Sequence, residues 1–153
     1  MTCTCSTDIC PRQLAANLYH LIDHLYSRLQ SLGPLASSPT DPTGKPVVTL
    51  PTTCPESPIF AILSPQPRSL ASHCQSAGFI VRPVVAPTVP AGTERVRVCL
   101  HAGNTVAQID NFVECVKQWI IKQGAPDDQA ERSIAGHDRA GDQTSERPLL
   151  AKI

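Results

Sequence analysis

The chain has 153 residues, a length that suits one domain with tails, and its 13 basic and 13 acidic residues leave no formal net charge. That balance excludes a general nucleic-acid binder, which needs excess positive charge to displace counterions. No apolar run approaches the roughly 18 residues of a membrane span, and "MTCTCSTDIC" at residues 1–10 lacks the basic start and apolar run of a secretory signal.

Residues 1–10 read as a disordered leader. Residues 11–32 read as an amphipathic linking helix: Leu14, Leu18, Leu21, Ile22, Leu25, Leu29 and Leu32 recur at intervals of three and four and draw one apolar stripe. Pro11 suits the first turn, and Gly33-Pro34 is a stop, because glycine accepts a left-handed cap and proline cannot continue the helix. A stripe of this kind must be buried against something. Residues 33–57 are rich in Pro, Ser and Thr and read as a surface loop, with a short extended piece at Val47-Val48.

Residues 58–124 carry a denser pattern, expected to form a small carboxy-terminal α/β domain. "PIFAIL" (58–63) is a proline-bounded apolar run that fits a buried strand, and "PRSLASHCQSAG" (67–78) fits a short helix closed by Gly78. "FIVRPVV" (79–85) reads as a second strand. "RVRVCLH" (95–101) reads as a third, with Val96, Val98 and Leu100 alternating with Arg95, Arg97, Cys99 and His101. Thr105-x-x-Gln108 is a capping box for a final helix whose Ile109, Phe112, Val113, Val116, Trp119 and Ile120 share a face. The order predicts an α+β layer, a small mixed sheet of about three strands covered by helices. Residues 125–153 are polar and aperiodic and are expected to be a disordered tail.

Two clusters invite a chemical reading. Cys3, Cys5 and Cys10 precede His20 and His24, which lie four apart on one helical face, but Cys-x-Cys-x4-Cys matches no standard zinc spacing. The expectation is two solvated histidines, a cysteine-bearing leader and no metal site. The seven cysteines are odd in number and irregular in spacing, which reads as free thiols in a reducing compartment. His101 reads as a turn or edge residue. The second cluster is Arg95 and Arg97, two guanidinium groups on one face of a strand. A planar fork of donors suits bidentate carboxylate recognition, whereas the bland alternative is a solvated strand face.

The tracts "SPIFAILS" and "AGFIVRPVVAPTVPAGTERVRVCLHAGNTVAQID" resemble the carboxy-terminal domain of the α-oxoamine synthases, pyridoxal-phosphate enzymes that condense an amino acid with an acyl-CoA. Within that family they are most similar to members using alanine and pimeloyl-CoA in biotin biosynthesis. The resemblance implies the small carboxy-terminal domain of a fold type I enzyme. It also implies amino-acid and acyl-CoA substrates, and a large catalytic domain or homodimer partner. Thr88 would contact substrate and Arg97 would hold the amino-acid carboxylate, with Arg95 structural or interfacial. Where the family usually has Arg-Pro-Pro-Thr, this chain has Val85-Ala86-Pro87-Thr88, which leaves Thr88 in place.

None of Lys45, Lys117, Lys122 and Lys152 sits in a motif like that of the family's Schiff-base lysine, and there is no glycine-rich phosphate loop. No catalytic or cofactor-binding residue is therefore assigned. The expectation is a fragment that is inactive by itself, the alternative being a non-catalytic partner-binding module that kept the fold. Ala151-Lys152-Ile153 resembles a variant of the Ser-Lys-Leu peroxisomal address, which predicts a peroxisomal location, the alternative being a cytoplasmic one.

Overall fold

The structure, a computed structural model, describes residues 11–37 and 44–124. The expected leader, tail and terminal triplet lie outside the described residues. In chain order the elements are α1 (Pro11–Gln30), α2 (Gly33–Ser37), β1 (Ile59–Leu63), α3 (Pro67–Ser76), β2 (Arg82–Val84), β3 (Arg95–Cys99) and α4 (Val106–Gly124).

The α+β expectation holds, with one correction: the sheet is antiparallel throughout rather than mixed. Its order is β1-β3-β2, and β3 is antiparallel to both neighbours. β1, α3 and β2 thus form a split crossover. The two outer strands run in the same direction, as a βαβ pattern demands, and β3 returns through a hairpin-type connection to fill the gap between them.

One apolar cluster holds the layers together. It takes Phe60 and Ile62 from β1, Val96 and Val98 from β3, Leu70, Ala71 and Cys74 from α3, and Ile109, Phe112, Val116, Trp119 and Ile120 from α4. Leu21, Ile22, Leu25 and Leu29 of α1 join the same core, so the helix that leads into the sheet region is packed onto α4. The stripe is buried only from Leu21 onward; Leu14 is 38% exposed and Leu18 half-buried. Phe79 stands edge-on to Phe112 at 5.4 Å between ring centres.

Local signals explain the boundaries. The capping box forms as expected: the Thr105 N–H donates to Gln108 Oε1 at 3.0 Å and the Gln108 N–H to Thr105 Oγ1 at 3.2 Å. α3 ends in a Schellman arrangement, with Phe79 N–H on the Cys74 carbonyl, Gly78 N–H on that of Gln75, and Gly78 at φ +92°. Two expectations are corrected. Residues 33–57 are not all loop, because Pro34 stops α1 yet suits the first turn of the short α2. The second strand is shorter than 79–85: Phe79 is taken by the α3 cap, and the Val81 carbonyl by Gln75 Nε2 at 2.9 Å. The extended piece at Val47-Val48 is present and buried, and Thr49 bridges to Leu63 at the β1 edge.

Candidate functional site

The loop 85–94 and strand β3 carry both residues singled out for substrate. The loop is two successive turns. The Thr88 N–H donates to the Val85 carbonyl at 3.0 Å, and the Thr93 N–H to that of Pro90 at 3.1 Å. In the second turn Gly92 occupies the third position at φ +86°, the place a type II turn reserves for glycine. Glu94 folds back over that turn, its Oε2 accepting from the Gly92 N–H at 2.8 Å. The Ser64 N–H donates to the Glu94 carbonyl at 3.1 Å, which fixes the loop to the end of β1. Buried Ser64 in turn donates to the Val47 carbonyl at 2.8 Å and accepts from the Gln66 N–H that leads into α3.

β3 then alternates as the sequence predicts. Val96 and Val98 point into the core, and Arg97 and Cys99 are exposed on the other face. The two arginines differ. Arg95 is half-buried, and its Nε donates to the Thr93 carbonyl at 3.0 Å, so it braces the loop. Arg97 has no hydrogen-bond or ion-pair partner among the described residues. Directly across β3 from Arg97 lies Arg82 on β2, also exposed and unpartnered, and on the other side lies Ala61 of β1. Sequence reasoning missed Arg82, because only the register of β2 on β3 sets the two arginines opposite each other. Thr88 is exposed in the first turn, and no hydrogen bond joins it to Arg97.

Two clefts flank Glu94. One, of about 150 Å³, is bordered by Lys45, Thr49 and Leu63. The other, of about 500 Å³, opens between Arg68 and Ser69 of α3 and Val85 and Ala86 of the loop. Neither is lined by Thr88 or Arg97.

The histidine cluster resolves differently from its expectation. His20 and His24 stack at 6.5 Å, but His24 is half-buried rather than solvated, and its Nε2 lies 2.9 Å from Asp110 Oδ1 on α4. Arg28 Nε donates to the same oxygen at 2.8 Å. The His24 hydrogen bond, with the charges of His24 and Arg28, holds the Asp110 carboxyl below its usual range, against a smaller opposing effect of burial. Among the described residues no three His, Cys, Asp or Glu side chains gather to hold a metal; Cys3, Cys5 and Cys10 lie outside them. Cys54, Cys74, Cys99 and Cys115 are free thiols. No helix among the described residues is long and apolar enough to cross a membrane.

Curated proteins similar to this chain agree with the motif. An 8-amino-7-oxononanoate synthase of Emericella nidulans is 58% identical over 64 residues, which cover 42% of this chain and 16% of that protein. One from an Anaeromyxobacter species is 40% identical over 70 residues, covering 44% and 18%. The chain is related to the α-oxoamine synthases. A shorter match, 51% over 41 residues, is to an aminoacyl transferase of Aspergillus fumigatus, covering 27% of this chain and 9% of that one. The chain thus spans less than a fifth of the length of these relatives. No protein-family model matches it.

The relationship to α-oxoamine synthases raises pyridoxal phosphate, and the described residues do not fit it. Lys117 pairs with Glu114 at 3.1 Å on the surface of α4, and Lys122 is exposed near that helix's end. Lys45 stands in an exposed segment beside the smaller cleft, where Glu94 supplies a carboxylate and no second cation is present for a phosphate. None of the three is enclosed as a Schiff-base lysine must be to work at neutral pH.

Proposed function

We propose that this chain is the substrate-binding carboxy-terminal part of a pyridoxal-phosphate-dependent acyltransferase that condenses alanine with pimeloyl-CoA in biotin biosynthesis. It adopts the small carboxy-terminal domain of the fold type I enzymes, and a large domain supplies the cofactor and the catalytic groups. The observation that carries this reading is Arg97: an outward guanidinium on the central strand, unpartnered, inside the tract "PTVPAGTERVRV". A strand fixes its direction, and its planar fork of donors meets the two oxygens of an α-carboxylate. Thr88, on the loop that Glu94 and Arg95 brace, contacts the substrate beside it. Together they bind and orient the amino acid, while the chemistry takes place on groups this chain does not supply.

The test is to join this chain to the large domain of a related synthase and measure alanine-dependent activity. Arg97→Ala should lower catalytic efficiency by roughly 30- to 1000-fold, the loss of a charge-assisted bidentate contact worth about 2–4 kcal/mol. Arg97→Lys keeps the charge and loses the fork, so it should recover only part of that. Arg95→Ala is the control, because Arg95 is already turned to the Thr93 carbonyl. Equal, mild effects of Arg97→Ala and Arg95→Ala would remove the carboxylate role.

A non-catalytic module that kept the fold is the second reading, and the poor fit of the described lysines to the cofactor favours it. It predicts no activity in the joined protein even with Arg97 intact.

A further inference from the structure

The open face of the sheet contains a charge arrangement that the Arg97 role by itself does not explain. Ala61, Arg97 and Arg82 form one row across the three strands, each directly opposite the next. Residues paired in this way have Cβ atoms about 4.5–5.5 Å apart, and like charges directly opposite each other destabilise a sheet. A guanidinium cannot escape by losing its proton. Among the described residues the strands offer no counter-charge on this face: its other members are Ile59, Leu63 and Val84, which are apolar, Cys99, and Arg95, whose Nε is committed to the Thr93 carbonyl. None of these is acidic, and the residue paired with Arg97 on β1 is the small, uncharged Ala61. By contrast Arg28 on α1 has met Asp110, and Lys117 has met Glu114.

We infer that Arg82 and Arg97 together form a two-guanidinium clamp for one small-molecule carboxylate, Arg82 acting as a second anchor beside Arg97. The inference rests on the reading of Arg97 as a carboxylate anchor. A carboxylate has two oxygens and about four acceptor sites, enough for donors from both forks at once. A bound anion between the two cations converts a repulsive pair into two attractive ones.

The experiment uses the full chain labelled with ¹⁵N-arginine, its Nε–H signals followed by NMR at constant ionic strength as sodium acetate, and separately L-alanine, is added. The Arg82 and Arg97 signals should move together with one midpoint while that of Arg95 stays. Arg82→Gln should raise the Arg97 midpoint about tenfold or more, the loss expected for a hydrogen bond to a charged group. Arg12→Gln, exposed on α1, should leave it within about twofold. Arg82 is exposed, so the glutamine variant keeps the fold, which circular dichroism would check. If Arg97 responds while Arg82 is silent, the clamp is overturned and the single anchor stands. If neither responds to either probe, both fall. Signals that shift on raising protein concentration without added carboxylate would identify a second chain's acidic side chain as the occupant and overturn the small-molecule assignment.

Discussion

Arg28 and Arg97 are both exposed arginines on regular elements, yet one belongs to the helical layer and the other to the open sheet face, and the two regions treat charge in opposite ways. Among the helices each described ion pair closes locally: Arg28 and His24 of α1 share Asp110 of α4, and Lys117 has Glu114. On the open face two guanidinium groups stand opposite each other, paired with no acid among the described residues. The helical layer is built to hold itself together. The open face leaves its exposed arginine pair to solvent, or to a group outside the described residues.

The sharpest way to break the comparison is through thiols, because the sheet has one on each side. Cys99 lies exposed on the open face, and Cys74 is buried beneath the other. The hydrogen bond with Cys115 and then burial push the Cys74 thiol up, so it is both shielded and poor in thiolate. Mass-mapped alkylation of the native chain should modify Cys99 at least about a thousandfold faster than Cys74, the factor imposed if Cys74 reacts only on global opening against about 5 kcal/mol. Comparable rates would mean that the open face is covered or that the core breathes.

A milder test uses two isoleucines on one strand. Ile62 is fully buried and Ile59 is 49% exposed, three residues apart on β1. Ile62→Ala should cost about 2–5 kcal/mol in urea unfolding, and Ile59→Ala less than about 1 kcal/mol. If Ile59→Ala proved as costly as Ile62→Ala, the two faces would not differ in packing.

What was legible in the sequence follows from how local each signal is. α4 was legible because the capping box and the period of Ile109, Phe112, Val113 and Val116 are written within one segment. The outward face of Arg97 was legible because alternation with Val96 and Val98 is a property of one strand. Arg82 was not, since its meaning lies in a register between two strands. His24 was misread for the same reason: Asp110 lies 86 positions away, and nothing near His24 announces it. The expected mixed sheet failed because strand order is set by where β3 inserts, which no periodicity records.

The smallest expected effect concerns the ion-paired side of the comparison. Asp110 ties α4 to α1 through two contacts, His24 Nε2 at 2.9 Å and Arg28 Nε at 2.8 Å. Its carboxyl is held below the usual range, first by the His24 hydrogen bond and then by the charges of His24 and Arg28. A carboxyl whose folded value lies below its unfolded value, about 3.9 for aspartate, adds stability that is fully present above the unfolded value. That contribution is lost as pH falls through the folded one. Wild type should therefore be the more stable protein at pH 6, and its advantage over Asp110→Asn should shrink steadily below about pH 4. Asparagine can still accept a hydrogen bond but carries no charge, so the difference between the two curves isolates the charge. High salt should narrow the gap at pH 6 as well, because the pair is open to solvent and exposed ion pairs are screened. Urea midpoints measured from pH 6 to pH 3 check this. Parallel curves would mean that Asp110 aligns the two helices as a neutral acceptor would, and that paired charge contributes no more to the helical layer than unpaired charge does to the open face.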